Sequence, residues 1–227
     1  MANICIIPAR GGSKRIPRKN IKDFLGKPII VYSIQAALES ELFDEVMVST
    51  DDLEIAYIAK KYGAKVPFMR SEKNSDDYAT TYEVIEEVIQ NFKHQGREFE
   101  NLCCIYPCAP FVNSKILIKG YAKLKKYNLD SVFPILAYSF PIQRALKKHE
   151  GKIVMIQQEN LNARSQDLDD SFHDAGQFYW CNTKQLLANK KVLTCNTGGL
   201  EISELQAQDI DTETDWKLAE LKFNLNI

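Results

Sequence analysis

Asn3-Ile-Cys-Ile-Ile-Pro8-Ala-Arg10-Gly-Gly-Ser-Lys-Arg-Ile-Pro-Arg-Lys-Asn20 decides the reading of this chain. Asn3 to Pro8 is a short, nearly continuous apolar run of the kind that forms a buried strand. A Gly-rich basic loop follows it directly. Between Ala9 and Lys27 stand seven cations (Arg10, Lys14, Arg15, Arg18, Lys19, Lys22 and Lys27) against one acid, Asp23. A strand feeding such a loop is the arrangement of open α/β sheets, whose ligands bind beyond the carboxyl ends of the strands. Gly11 and Gly12 free the backbone to turn amide N–H groups toward a phosphate.

Outward from this stretch, strands and helices alternate. The spacing of Ile30, Ile34, Ala37 and Leu38 predicts a helix over Pro28–Glu39, with Pro28 in its first turn. Strands are predicted over Glu45–Thr50, Lys65–Met69, Asn101–Tyr106 and Ser131–Ile135. Helices are predicted from Asp51/Asp52 to before Gly63, over Thr80–Phe92 and over Ser114–Tyr127. A strand over Gln177–Cys181, another over Leu205–Ile210 and a helix over Thr212–Phe223 complete the pattern. Residues 138–172 break the alternation and read as strands and loops inserted into the main fold. The expected architecture is α/β, a mostly parallel sheet flanked by helices, in a single domain of residues 1–227 with one insertion.

Bulk properties narrow the function classes. Of the 227 residues 45% are hydrophobic and 26% charged, enough for a core without staples. A formal net charge of -1 gives no field that would draw the whole molecule onto nucleic acid or membrane, so an anionic ligand must be met locally. Aromatic residues are not interleaved with the basic ones, which argues against a nucleic-acid surface. Six cysteines form no CxxC pair, and three histidines are too few for a zinc site. Met1 to Pro8 is too short for a signal-peptide core and no apolar stretch nears ~20 residues. A cytoplasmic protein is expected.

The basic loop matches neither GxxxxGK[ST] nor GxGxxG. Together with Gly26-Lys27-Pro28 it resembles the signature of the CMP-sialic acid synthetase family, cytidylyltransferases for sialic, legionaminic and pseudaminic acids. The resemblance runs over nearly the whole chain. It implies a glycosyltransferase-A-like, Rossmann-like nucleotidyltransferase fold, CTP as donor, and a divalent metal, Mg2+ or alternatively Mn2+. By the same resemblance Arg10 and Lys19 hold the triphosphate as catalytic residues, on a loop running from Ala9 through Gly11 and Gly12, with Ser13 and Asn20 near the nucleotide. Arg70 and Thr81 match positions that approach the cytidine.

Near the C-terminus, Gln208-Asp-Ile-Asp-Thr-Glu-Thr-Asp215 leads into the last helix. If Asp209 to Asp211 is extended, both carboxylates share one face and Ile210 points to the other. Such a pair suits Mg2+, which keeps waters and takes one or two carboxylates. Asp211 or Thr212 could equally cap the helix. The resemblance places the catalytic metal carboxylates at Asp209 and Asp211. Asp51 and Asp52 read first as helix caps.

Two polar, aromatic segments, Asn162–Asp167 and Phe172–Trp180, suit an acidic sugar. Arg164 offers bidentate geometry to a carboxylate, while His173, Asp174 and Gln177 carry hydrogen-bonding groups. Arg164 also matches the family's sugar-binding arginine, and the insertion matches a segment that mediates homodimerisation and lends residues to the neighbouring site. Where sialic acid enzymes resemble Gln-Pro-Thr-Ser-Pro-Leu-Arg, this chain has Tyr106-Pro-Cys-Ala-Pro-Phe-Val112. Where they resemble Arg-Pro-Asn-Gly, it has His173-Asp-Ala-Gly176. These departures fall in the acceptor pocket and, with Tyr138-Ser-Phe-Pro-Ile-Gln143-Arg144, resemble the pseudaminic acid branch. Tyr106 and Gln143 thereby join the expected sugar contacts. The implied partners are CTP and an acidic nine-carbon sugar. The alternatives are a cytidylyltransferase for legionaminic, sialic or 3-deoxy-manno-octulosonic acid, or a non-catalytic nucleotide-binding regulator.

Overall fold

In the computed structural model, which describes residues 2–225, the chain forms strand β1 (Asn3–Pro8), a two-stranded ribbon of β2 (Asp23–Phe24) and β3 (Lys27–Pro28), then α1 (Ile30–Glu39) and β4 (Glu45–Ser49). Next come α2 (Leu53–Lys61), α3 (Thr81–His94), β5 (Asn101–Ile105), α4 (Ser114–Lys126) and β6 (Ser131–Ala137). The insertion holds β7 (Leu146–His149) and β8 (Lys152–Met155), and the chain returns through β9 (Phe172–Asp174) and β10 (Phe178–Asn182). Helix α5 (Thr183–Asn189), strand β11 (Thr197–Glu201) and helix α6 (Glu213–Leu225) close it.

The main sheet runs β11-β6-β10-β5-β1-β4, with β9 also paired to β6. Only β9 and β10 run against the others. Side-chain alternation splits the core into two layers, as the pleat requires. Cys5, Ile7, Cys103, Ile105, Phe178 and Trp180 point to one face, under α1, α2 and α4. Ile4, Ile6, Leu102, Cys104, Tyr179 and Cys181 point to the other, under α3 and α5. Helix α3 begins with a reciprocal cap, Thr80 Oγ1 accepting from Glu83 N–H while Glu83 accepts from Thr80 N–H.

Two expected strands are absent. Lys65 makes a single parallel bridge to Met47 and the pairing stops there, because Pro67 has no N–H for a ladder. Residues 205–210 form a short 3-10 turn, Glu204–Gln206, followed by unpaired chain. Its carbonyls are met by side chains instead: Gln206 O accepts from Gln177, Ala207 O from Lys222 and Ile210 O from Lys19. Strand β11 and helix α5 were not anticipated. The Thr-Gly-Gly-Leu-Glu of β11 is poor in strand formers, and its glycines answer to space. A Cβ on Gly199 would lie 2.4 Å from Ile135 Cδ1, and one on Gly198 2.6 Å from Leu129 Cδ1.

The insertion leaves at Ala137 and returns at Phe172, and these two residues pair across β6 and β9. Among the described residues its β7–β8 hairpin pairs with no strand of the main sheet.

Candidate functional site

A cavity of about 530 Å3 opens beyond the carboxyl ends of β1 and β5. Three walls build it. The basic loop after β1 contributes Arg10, Ser13, Lys14, Arg15, Lys19 and Asn20. The segment ahead of α3 contributes Arg70, Asn74, Asp76, Asp77 and Thr81. Tyr106 to Cys108, Gly176, Asp209 and Ile210 close the third side.

A separate apolar cluster sets the loop against the acidic segment. Ile16, Phe24 and Ile29 pack with Ile210, Trp216 and Ala219 of the C-terminal region. With Ile210 only 2% exposed, its neighbours Asp209 and Asp211 are turned outward. Thr212 and Asp215 cap α6 between themselves: Asp215 N–H donates to Thr212 Oγ1 and Thr212 N–H to Asp215 Oδ2. The carboxylate of Asp211 is therefore not spent on the cap. It pairs with Arg15 at 2.8 Å and Lys19 at 3.5 Å.

Four more of the seven loop cations are also paired, and Lys27 instead donates to Gln35. Arg10 meets Asp77 at 2.8 Å and the Asp76 carbonyl at 2.6 Å; Lys14 pairs with Asp77 as well. These contacts, the Lys14 hydrogen bond foremost, hold the Asp77 carboxyl below the usual carboxylate range. Arg18 pairs with Asp52 and Glu54, and Lys22 with Glu213. Asp52 is the cap of α2, accepting from Glu54 and Ile55 N–H. The loop is thus a set of exchangeable ion pairs, not bare positive charge.

Arg70 is buried, donating through Nε to Ser49 Oγ and through Nη2 to Ser49 O, and burial lowers its pKa from the usual guanidinium value. Asn20 donates to the Arg10 carbonyl at 2.9 Å and accepts from the Cys108 thiol, tying the loop's two ends. Thr81 Oγ1 and the Tyr106 hydroxyl lie 3.3 Å apart.

Asp209 differs from its neighbours. Its carboxylate has no hydrogen bond or ion pair among the described residues, and partial burial followed by the charge of Asp211 pushes its pKa up. Asp209 is thus a carboxylate without a protein partner beside one, Asp211, that is paired with Arg15 and Lys19. Among the described residues no third acid, Cys or His joins them, which excludes a closed protein cage. Two hard oxygens completed by phosphate and water fit Mg2+.

The expected nucleotide residues Arg10, Ser13, Lys19, Asn20, Arg70 and Thr81 therefore share one cavity. Ala9, Gly11 and Gly12 do not line it. The Gly11 amide, read as a phosphate donor, is already donated to Asp51 Oδ1 at 2.9 Å. Of the expected sugar contacts only Tyr106 lines the cavity. Gln143 donates to Asp169 O, exposed Arg164 pairs with its own neighbour Asp167, and His173 packs on Tyr138. Asp174 accepts from the Tyr179 hydroxyl and Gly176 N–H, and buried Gln177 donates to Gln206 O. Within one chain these groups do structural work. Asn74, Asp76, Asp77 and Cys108 were not singled out, although the first three lie between Arg70 and Thr81 in sequence.

Fold and cavity together define an α/β protein that sets a polyanion-sized cationic cleft against a carboxylate pair. A family model described as cytidylyltransferase matches residues 4–194. The chain belongs to the cytidylyltransferase family. It is 42% identical over 227 residues to pseudaminic acid cytidylyltransferase of Campylobacter jejuni subsp. jejuni serotype O:2, covering 100% of this chain and 98% of that protein. It is 30% identical over 231 residues to the CMP-N,N'-diacetyllegionaminic acid synthase of Legionella pneumophila, again covering 100% and 98%. Among solved structures, CMP:2-keto-3-deoxy-manno-octonic acid synthetase complexed with CTP superposes with a TM-score of 0.72 at 16% identity over 100% of both chains. That likeness is one of fold, a Rossmann-like nucleotidyltransferase sheet.

Proposed function

We propose that the chain transfers CMP from CTP to the anomeric hydroxyl of a nonulosonic acid, pseudaminic acid, releasing pyrophosphate. The full-length identity to a pseudaminic acid enzyme carries the choice of sugar, against a lower identity to the legionaminic one. The attacking hydroxyl displaces pyrophosphate in line, so negative charge grows on the leaving group. Arg10, Lys14, Arg15 and Lys19 all face that space. Fixed cations stabilise growing charge without reorganising. Arg10 and Arg15 grip phosphate oxygens through two N–H groups, and Lys14 and Lys19 supply compact charge. Asp209 and Asp211 would hold Mg2+, or Mn2+ in its place, which neutralises phosphate charge when bound. Arg70 and Thr81 face the cytidine, and Tyr106 the acceptor.

A homodimer completes the acceptor side in this reading. The insertion exposes Phe140 at 80%, with Leu146, Ile153, Ile156 and Leu161 also exposed, an apolar surface that a second copy would cover. Arg164 of each copy would then exchange Asp167 for the sugar carboxylate in its neighbour's cavity. A cytoplasmic setting agrees with six free cysteines, four of them buried. Among the described residues no helix is long and apolar enough to cross a membrane.

The test is an acceptor panel. Enzyme, CTP and Mg2+ are incubated with pseudaminic, legionaminic, sialic and 3-deoxy-manno-octulosonic acids, and pyrophosphate is measured. Release is expected with pseudaminic acid at the highest kcat/KM. A higher value with another acid reassigns the sugar, and CTP binding without turnover on any acid makes the protein a regulator.

A further inference from the structure

Arg18 belongs to the basic loop by sequence, yet it does not line the cavity. Its guanidinium turns to the start of α2, donating to the two Asp52 carboxylate oxygens at 2.5 and 2.9 Å and to Glu54 at 2.5 Å. Arg18 holds φ 56°, a left-handed conformation that a non-glycine residue enters at a cost. The fork to Asp52 holds it there. The same carboxylate accepts the N–H groups of Glu54 and Ile55, so one side chain both caps α2 and grips the loop.

A second clip lies seven residues earlier in the chain, at Gly11. Its N–H donates to Asp51 Oδ1 at 2.9 Å. The loop passes so close that a Cβ on Gly11 would lie 2.7 Å from Asp52 Oδ2. Ser13, Lys14 and Arg15 lie between the two clips, and Arg10 and Lys19 stand just outside them; all five line the cavity. Freezing a loop of this length costs conformational entropy that binding would otherwise have to supply.

We propose that Asp52, acting through Arg18, is a positioning residue for the nucleotide. It fixes the Arg18 end of the loop, as Asp51 fixes the Gly11 end, in the shape that presents Arg10, Lys14, Arg15 and Lys19 to the triphosphate, and it touches neither substrate. The inference rests on the reading of the cavity as a CTP site. Arg18 is thereby removed from the phosphate ligands, although it is one of the loop's seven cations.

Two substitutions separate the clip from the cap. Asp52→Asn keeps an oxygen able to cap α2 and removes the charge facing Arg18. Arg18→Lys keeps the charge and removes the planar fork. The full chain and its variants are compared at a temperature where circular dichroism shows all of them folded. CTP affinity is measured by calorimetry, kcat and KM by pyrophosphate release, and amide hydrogen exchange over residues 12–15 without nucleotide.

Each single variant is expected to weaken CTP about ten-fold, and the double variant no further than the weaker single, because the pair acts as a unit. Exchange in the loop should quicken and kcat stay within about two-fold, since no transition-state contact is lost. Unchanged CTP affinity overturns the inference, as do additive losses or a kcat that falls as far as kcat/KM. Wild-type protein that fails to bind CTP at all overturns the CTP reading instead, and the inference with it.

Discussion

Lys19 and Ile210, 191 positions apart in sequence, are joined by one hydrogen bond: Lys19 Nζ donates to the Ile210 carbonyl oxygen at 2.6 Å. The same ammonium lies 3.5 Å from Asp211 Oδ1. This contact sets the spacing between the loop proposed to meet phosphate and the acids proposed to meet metal. It uses a backbone carbonyl that a strand over residues 205–210 would have spent on a neighbour.

Lys19→Ala removes that spacer together with a positive charge in the cavity. One partly buried hydrogen bond is worth about 1 kcal/mol net, so the melting temperature should shift by only a few degrees. Turnover should fall by about 100-fold or more, the usual loss when one fixed donor to a growing charge is removed. Steady-state pyrophosphate release beside a thermal melt checks both. Unchanged turnover would take Lys19 out of the mechanism.

Asp209→Asn probes the other wall. The Asp209 carboxylate makes no hydrogen bond or ion pair among the described residues, and partial burial and the charge of Asp211 outweigh the pull of Lys19 and Arg15, so neutralising it breaks no direct contact. In metal-free buffer the variant should melt no lower than the wild type. With CTP and acceptor its turnover should drop by about 100-fold, and a Mg2+ titration should need far more metal. A loss of stability equal to that of a core substitution would mark Asp209 as a structural acid.

How far this site could be read from the chain depended on how local each part was. The strand Asn3–Pro8 and its basic loop announced themselves because apolar pattern, glycines and charge coincide in eighteen consecutive residues. Asp52 as a helix cap and the helix opening at Thr80 follow from local spacing alone. Residues 205–210 misled because they look extended, and only the tertiary partners Gln177, Lys222 and Lys19 show how their carbonyls are satisfied. Asp77 was passed over for a similar reason. An exposed acid in a loop carries no signal until Arg10 and Lys14 are seen to hold it. Gln143, Arg164, His173, Asp174 and Gln177 were read as sugar contacts from residue type alone, and residue type does not show that each already has a partner close by in the chain.

The cysteines offer a check on the core that needs no substrate. Cys5, Cys103, Cys104 and Cys181 are buried in the sheet, and burial raises every one of these thiols. Cys108 lines the cavity, yet burial pushes it up to about 12, so little thiolate is present at neutral pH. Cys195 is exposed. Iodoacetamide at pH 7.5 on native protein should therefore alkylate Cys195 first, with peptide mass spectrometry finding the other five intact. Early labelling of Cys108 would contradict its hydrogen bond to Asn20.

The Asp52–Arg18 pair sets a pH dependence whose sign can be worked through. The Arg18 hydrogen bond, aided by the α2 N–H groups, lowers the Asp52 carboxyl to about 2, whereas an unfolded Asp titrates near ~3.9. Below its unfolded pKa the unfolded chain takes up a proton that the folded chain refuses, so folding is penalised as acid is added. The stabilisation is fully present above about pH 5 and is lost as the pH falls through ~3.9 toward 2. Urea unfolding of wild type and Asp52→Asn, repeated from pH 7 to pH 2.5, should show a gap that is constant at the upper end and narrows below about pH 4. A gap that stayed constant to pH 2.5 would mean that Asp52 titrates alike in the folded and unfolded chain, and that Arg18 does not hold its carboxylate.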